Sequence, residues 1–177
     1  MQTDPWRLLA AYNRWMNEKV YEAAAQLTPE ALRQDRKAFF GSILGTLNHL
    51  AVADTMWLKR FRGHLPLSTA LAPLDGVPTP ERLNTILFDD LERLGDYRRR
   101  VDGWISAWVE TLTEADLSSV VHYRNTKGVE NRRRLDALLL HFFNHQTHHR
   151  GQATDLLYQA GVDVGVTDLL ALIPQVE

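Results

Sequence analysis

The chain has 177 residues, a net charge of −2 and 45% hydrophobic residues, which predicts a single domain over residues 1–177 with a substantial core. The near-neutral charge gives no bulk attraction to nucleic acid or to an anionic membrane, and no apolar run is long enough for a transmembrane helix. The absence of cysteine excludes disulfides, zinc–thiolate sites and iron–sulfur clusters, so thiol chemistry here needs an external thiol. The N-terminus lacks a signal-peptide core, and we therefore expect a cytoplasmic location.

The first part of the chain predicts two long helices separated by a short one. Apolar residues recur at three- and four-residue steps from about Pro5 to Leu27, which is the helical period. Thr28-Pro29-Glu30 then predicts the start of a short connecting helix. The second long helix is predicted to begin after Ser42, a good N-cap residue, and to end near Arg62. Prolines and glycines predict a loop over residues 63–79.

The middle of the chain predicts a third long helix and a hairpin. The helix is predicted to open at Thr79-Pro80-Glu81, because a proline follows a capping residue there, and its apolar seam steps by four and three residues to Trp108. Residues 118–130 contain a short β-rich run and a turn at residues 125–128. They predict a small β-hairpin before the last long helix.

The last long helix is predicted from about Arg133 to Ala160, with Gly161 as its C-cap. Thr167 is predicted to cap one further short turn. Four long helices with two long connections predict an all-α four-helix bundle with crossover topology.

The most informative segment, residues 141–152, lies on this fourth helix. His145 and His149 are one helical turn apart, which brings their Cβ atoms to about 5–6 Å, and such a pair can bind one metal ion. On a helical wheel this pair falls in or at the edge of the apolar arc, whereas His141 and His148 fall toward the polar face. His141, His145 and His149 together climb about 12 Å, too far to share one ion, so a third ligand must come from elsewhere.

The best candidate for that third ligand is His49, in the middle of the second long helix. It lies on the opposite side from the densest apolar stripe of its helix, but this helix is apolar nearly all round. We therefore expect the helix to face both the core and a partner subunit.

Other site classes can be compared with this arrangement. A zinc-protease helix needs a glutamate after its first histidine, where this chain has Gln146, and the di-iron spacing Glu-x-x-His does not occur. No phosphate loop or nucleophile elbow is present, although spacing leaves Ser-His-Asp chemistry open. Spacing also leaves open that the histidines hold hydrogen bonds and no metal.

Four segments carry a pattern that extends over nearly the whole chain. They are Tyr12-Asn13-Arg14-Trp15, Phe39-Phe40-Gly41-Ser42-Ile43-Leu44-Gly45-Thr46-Leu47-Asn48-His49 with the following Ala53-Asp54 and Trp57, the run from His141 to Gln152, and Thr167-Asp168-Leu169. Together these segments resemble the DinB (YfiT-like) family of metalloproteins. The two histidine segments are the most specific part of this resemblance.

The resemblance implies a four-helix bundle, commonly a homodimer, that holds a divalent metal ion on His49, His145 and His149. Zinc or nickel is the expected metal. The implied function is that of a metal-dependent enzyme, of the thiol S-transferase or hydrolase type, which activates a low-molecular-weight thiol or water to attack a small-molecule substrate. The alternative is a non-catalytic metal-binding module of the stress response, in which the metal stabilises the bundle.

For several further polar residues, a role in packing can be compared with a role at the site. Asp54 either orients a histidine or pairs with an arginine, and the pairing is favoured. Asn13, Gln146 and Gln152 either point toward the site or have ordinary capping or packing roles, and the sequence leaves both alternatives open. Arg150 falls away from the apolar arc and predicts a surface salt bridge. The arginine runs at residues 98–100 and 132–134 predict solvated helix faces rather than nucleic-acid contacts.

Overall fold

The computed structural model describes residues 5–65 and 68–176 as a mostly helical chain with one two-stranded antiparallel sheet. The helices are α1 Pro5–Ala24, α2 Pro29–Arg33, α3 Ile43–His64, α4 Leu91–Val109, α5 Glu114–Ser118 and α6 Leu135–Gln159. The strands are β1 Val120–Arg124 and β2 Glu130–Arg134. One 3₁₀ helix, Thr69–Gly76, lies in the connection between α3 and α4, and a second, Leu169–Leu172, follows α6 near the C-terminus. Pro66, one basis of the loop prediction, lies outside the described residues.

The four long helices form a closed bundle. α1 packs against α4 and α6, and α3 packs against the same two helices. α1 and α3 therefore occupy opposite corners, and the connection between them crosses the bundle, as does the one between α4 and α6. The predicted four-helix bundle with crossover connections and a small hairpin is confirmed. Within the described ranges, no helix is long and apolar enough to cross a membrane.

The core is built from the apolar stripes of all four long helices. Phe61 of α3 stacks on Trp108 of α4 with ring centroids 4.9 Å apart, and Phe142 of α6 meets Phe61 edge-on at 5.9 Å. All three side chains are at most 1% exposed. Burying a large apolar side chain of this kind contributes about 1.5–3 kcal/mol, so this aromatic cluster ties three corners of the bundle together.

Side-chain caps fix where the early helices begin. Thr28 Oγ1 accepts a hydrogen bond from the Ala31 amide at the start of α2, and Ser42 Oγ accepts one from the Gly45 amide at the start of α3. Both predicted caps are confirmed. α3 runs two residues past its predicted end, to His64, because Gly63 continues the helix.

The prediction that the third long helix opens at residue 79 is wrong, since α4 begins at Leu91 with Asp90 as its N-cap. The intervening segment lies across α3 in extended and turn conformations instead. Asn48 holds it there: its Oδ1 accepts from the Leu87 amide at 2.8 Å and from the Phe88 amide at 3.1 Å, and its Nδ2 donates to the Phe88 carbonyl at 2.9 Å. Backbone groups satisfied by a buried side chain do not need helical partners.

The C-terminal part of the fold follows the sequence pattern closely. β1 pairs with β2 from Val120↔Arg134 to Arg124↔Glu130, and the turn between them has Gly128 at φ +77°. The C-cap of α6 is Ala160 rather than the predicted Gly161, which follows it and takes the left-handed conformation at φ +86° that ends a helix. The N-cap of the last 3₁₀ turn is Asp168 rather than the predicted Thr167. The Thr167 carbonyl instead accepts a hydrogen bond from the Tyr12 hydroxyl at 2.6 Å.

Candidate metal centre

Three histidine side chains from two helices converge at one point of the bundle. His49 comes from α3, and His145 and His149 come from adjacent turns of α6. One ring nitrogen from each lies within 4.8 Å of the other two. The ring centroids are 5.2 Å apart for His49 and His145 and 4.4 Å apart for each of the other two pairs. This group of neutral donors could hold a metal ion.

His49 is the buried member of the group, with 2% of its surface exposed. Its Nδ1 lies 2.8 Å from the Leu83 carbonyl oxygen, which only accepts hydrogen bonds, so Nδ1 carries the proton and donates. The acceptor lone pair is therefore on Nε2. That atom is buried and has no hydrogen-bond partner among the described residues. An orphaned acceptor of this kind fits a cation, because burying it without a partner is costly.

His149 is oriented in the same way by its own helix. Its Nδ1 lies 2.8 Å from Gln152 Oε1 one turn later, which makes Nδ1 the donor and again leaves the lone pair on Nε2. Metal-binding histidines commonly donate their second ring N–H to a carbonyl or carboxylate oxygen. Of the polar residues that the sequence left undecided, Gln152 thus lies beside the histidine group.

An aromatic side chain from the turn before α3 covers the group. The Phe40 ring stacks on His49 with centroids 3.7 Å apart and an interplanar angle of 16°, and it meets His149 edge-on at 5.5 Å. The turn is closed by a bridge between Ala38 and Gly41, and Gly41 adopts φ +75°, a conformation that favours glycine. Phe40 shields one side of the histidine group from water.

His141 and His148 lie beside the convergent nitrogens rather than among them. Both are exposed. The His141 ring is 5.8 Å from that of His145 and packs edge-on against Trp57 at 5.2 Å. The His148 ring is 4.8 Å from that of His149. These two positions agree with the helical wheel, which set both histidines toward the polar face.

Comparison with known proteins decides the family. A family model described as DinB family matches residues 1–175. The chain belongs to the DinB family. Protein DinB of Bacillus subtilis (strain 168) is 27% identical over 160 residues, which cover 90% of this chain and 88% of that protein. The crystal structure of a DinB-like protein from Bacillus cereus ATCC 10987 superposes with a TM-score of 0.54 at 22% identity, over 85% of this chain and 89% of that one. The structural likeness supports the fold.

Burial keeps the histidines of this DinB chain neutral. Desolvation, with smaller contributions from the other histidines, lowers the pKa of His145 from 6.5 to about 3. Desolvation lowers the pKa of His49 to about 4, although the Leu83 carbonyl partly opposes this. The pKa of His149 is also lowered, chiefly by burial. All three imidazoles are thus unprotonated at neutral pH, which is the state that binds a metal.

These depressed pKa values predict an acid-sensitive apoprotein. In the unfolded chain the histidine pKa is near 6.5, so between about pH 6.5 and pH 4 the unfolded state binds more protons than the folded state. The contribution of these histidines to the free energy of unfolding of chelator-treated protein should therefore fall as pH is lowered through this range, while the raised pKa of the buried Asp102 carboxyl acts in the opposite direction. Urea titrations at half-unit pH steps measure the net slope. His49→Gln should lose less stability, or gain more, than the unsubstituted protein over the same range. An equal slope in the two proteins would contradict the lowered pKa of His49.

Gly45 ties the Phe40 turn to α3, and its replacement should disturb the site. A Cβ atom at this position would collide with the Phe40 carbonyl oxygen, which is backbone and cannot swing away. We expect Gly45→Ala to lower the free energy of unfolding by about 1–3 kcal/mol, as overpacking does, and to displace the Phe40 ring from His49. Urea unfolding and the ¹H shifts of the His49 ring report the two effects.

Gly63 provides the matched control for Gly45. It lies in the same helix, and a Cβ atom there would meet nothing within 4 Å. Gly63→Ala should leave the His49 shifts unchanged and stabilise the helix by about 0.5–1 kcal/mol. Equal effects of the two substitutions would mean that the Phe40 contact has no special role.

A buried ionic network joins α1, α3 and α4. Arg98 Nη1 donates to Asp54 Oδ2 at 2.5 Å, and Arg98 Nη2 lies 3.0 Å from Asp102 Oδ1, with all three side chains at most 3% exposed. Asn17 and Asn13 also donate to Asp102 Oδ1, at 2.9 and 3.1 Å. The predicted pairing of Asp54 with an arginine is confirmed. Asn13 belongs to this network, and the prediction that residues 98–100 form a solvated face is wrong for Arg98.

Arg150 extends the network to α6. It is 3% exposed, donates to Asn13 Oδ1 and, at 3.3 Å, to Gln146 Oε1, and its guanidinium lies 5.4 Å from the Tyr12 ring centroid. The prediction of a surface salt bridge is wrong, because α1 covers the side of α6 from which Arg150 projects. Burial lowers the pKa of Arg150 to about 10. Gln146 is fully buried and follows His145 directly in the chain, so the network reaches the neighbour of one histidine of the candidate site.

Proposed function

We propose that His49, His145 and His149 bind a divalent metal ion and that this DinB family protein is a metal-dependent enzyme. The observation that carries the proposal is the convergence of one nitrogen from each ring within 4.8 Å. The buried, unpartnered Nε2 of His49 and the lowered histidine pKa values support it. Zinc or nickel is the proposed metal, because neutral imidazole suits both ions.

The donor set favours catalysis over a closed structural site. Three neutral imidazoles leave the charge of a divalent ion uncompensated, and three protein ligands leave a coordination position open. A metal bound there supplies a Lewis acid that lowers the pKa of water or of a small-molecule thiol. We propose a thiol S-transferase or hydrolase type of reaction, in which any thiol comes from outside because the chain has no cysteine.

The residues of the chain prepare the site in three ways. The Leu83 carbonyl and Gln152 Oε1 orient two imidazoles by accepting hydrogen bonds from their Nδ1–H groups. The Phe40 ring excludes water from the stacked face of His49. Burial holds the pKa of His145 at about 3, so proton competition for this ligand is weak near neutral pH. Together these features support a preorganised donor set of neutral imidazoles.

Metal content and thiol binding test the proposal together. Protein stripped with chelator and reloaded should hold about one zinc or nickel ion per chain by elemental analysis. The cobalt(II)-loaded protein should then show a sulfur-to-cobalt charge-transfer band on titration with 2-mercaptoethanol, or pH-dependent visible bands from exchangeable water.

Two results would argue against the proposal. Absence of stoichiometric metal would overturn the site itself. Metal that is held without any response to thiol or pH would favour the alternative, a non-catalytic metal-binding module in which the ion stabilises the bundle.

The predictions of a homodimer and of a small-molecule substrate rest on the family resemblance, and that of a cytoplasmic location rests on the sequence of the N-terminus. All three stay predictions. The apolar character of α3, which suggested a partner subunit, is largely explained within one chain, because the Phe40 turn and residues 83–88 cover its second face. Sedimentation velocity on the metal-loaded protein measures the association state directly.

A further inference from the structure

A separate cavity of about 610 Å³ lies between α1, α2 and α4, and its lining contains none of the three histidines. Its lining has an apolar part that includes Leu27, Leu32, Leu44 and Leu91, beside a larger number of charged residues. Because Gly95 has no side chain, the Tyr21 ring has room beside it; a Cβ atom at residue 95 would lie only 3.3 Å from that ring. The volume falls in the range of cavities that enclose small organic ligands, about 300–1,000 Å³.

Three buried atoms in the lining have no hydrogen-bond partner in the part of the chain that the structure describes, namely the Tyr21 hydroxyl, the Arg98 Nε–H and Arg98 Nη2. Nη2 still lies 3.0 Å from Asp102 Oδ1 in an ion pair, so the Tyr21 hydroxyl and the Arg98 Nε–H are the two groups left without a polar partner there. The Arg98 side chain is 2% exposed and already neutralised by Asp54 and Asp102. Buried polar groups normally find partners, so these two indicate a ligand atom that exchanges hydrogen bonds with them.

The lining is acidic. It contains six carboxylates, Glu18, Glu22, Asp89, Asp90, Glu92 and Asp102, against three arginines, Arg33, Arg98 and Arg99. Arg33 donates to the Asp89 carbonyl oxygen, and Arg99 pairs with Asp96. Glu22 and Glu92 are exposed and have neither an ion pair nor a hydrogen bond with a described residue. This charge balance favours a cation and disfavours a carboxylate or phosphate.

We infer that the cavity binds an amphipathic organic cation, an aliphatic amine that also carries a hydroxyl or carbonyl oxygen. The ammonium group faces Glu22 and Glu92 at the exposed rim. The aliphatic part packs against the leucine walls, and the oxygen reaches the Tyr21 hydroxyl and the Arg98 Nε–H. The three regions of the ligand match the three regions of the lining.

Matched probes of four to eight carbons test this inference. Linear alkylammonium ions, α,ω-amino alcohols and alkanoates are titrated into ¹⁵N-labelled protein, and dissociation constants come from the amide shifts of cavity residues. The best amino alcohol should bind about fivefold more tightly than the alkylammonium ion of equal length, as one added hydrogen bond allows. Alkanoates should bind at least about fivefold more weakly than the alkylammonium ions, because they meet the unpaired carboxylates.

Variants test which part of the ligand each region of the lining contacts. Tyr21→Phe should remove most of the amino-alcohol advantage. Glu22→Gln/Glu92→Gln should weaken the alkylammonium ions about fivefold, whereas Glu18→Gln, whose carboxylate is already paired with Arg14 at 2.9 Å, should change binding less than twofold. Ala25→Trp, at an exposed position of the lining, should weaken every probe without unfolding the protein.

The outcomes separate this site from the metal centre. His149→Ala should leave all probe affinities unchanged, so failure of the metal proposal does not affect this test. Alkanoates that bind as tightly as amines, shifts confined to residues outside the cavity, or affinities unaltered in both Ala25→Trp and the double glutamine variant would each overturn the inference.

Discussion

His149→Ala is expected to abolish stoichiometric metal binding. His149 supplies one of the three convergent nitrogens, and the methyl group of alanine offers no donor. Loss of a residue that only orients a ligand already costs about 10–100-fold in metal affinity, so loss of the ligand itself should cost at least about a hundredfold. Competition with a chromophoric chelator at pH 7 measures the dissociation constant.

The adjacent His148 is the matched control for this prediction. Its side chain is exposed and lies outside the group of convergent nitrogens, although its ring centroid is only 4.8 Å from that of His149. His148→Ala should therefore change the dissociation constant less than about threefold. Comparable losses in the two variants would show that the ion is held loosely by the histidine-rich surface rather than by the buried trio.

Much of the histidine site could be predicted because the helical period fixes neighbours within one helix. The spacing of His145 and His149 places both on one side of α6, and the structure shows their ring centroids 4.4 Å apart. His49 needed more than spacing, since nothing local relates residue 49 to residue 145. The resemblance to a family supplied that relation, and the convergence of the three rings agrees with it.

The groups that orient the histidines were not predictable in the same way. Leu83 contributes only its backbone carbonyl, which any residue type offers, so no side-chain pattern marks the contact to His49. The capping pattern at residues 79–81 indicated a helix there, but Asn48 draws the segment across α3. A buried asparagine that competes for backbone groups overrides a local helix signal.

The buried arginines show that the burial of a side chain cannot always be predicted from the pattern of its own helix. Arg98 stands in a run of three arginines, a pattern typical of a solvated face, and Arg150 projects from the polar side of its own wheel. Both are buried because polar partners on other helices meet them, Asp54 for Arg98 and Asn13 for Arg150. Partners distant in sequence decide whether such a charge is buried.

Arg98→Ala should cause the largest loss of stability in the chain outside the apolar core. The substitution leaves the carboxylates of Asp54 and Asp102 buried without their shared cation, and breaking a buried pair from one side typically costs about 3–5 kcal/mol. Burial already raises the pKa of Asp102 to about 6 even with Arg98 opposing it. Urea unfolding at pH 7 measures the loss.

Two comparisons make this prediction specific to the buried charge. The folded-state pKa of both carboxyls already lies above its ordinary value of 3.8, and Arg98 is a group that lowers it. Removing Arg98 should raise both pKa values further, so the folded variant takes up protons at higher pH than the unsubstituted protein does. Arg98→Ala should thus recover part of its lost stability between pH 7 and pH 5. Arg99→Ala, whose side chain is 63% exposed and pairs with the exposed Asp96, should lose less than about 1 kcal/mol. A deficit in Arg98→Ala that is unchanged by pH would point to lost packing instead of stranded carboxylates.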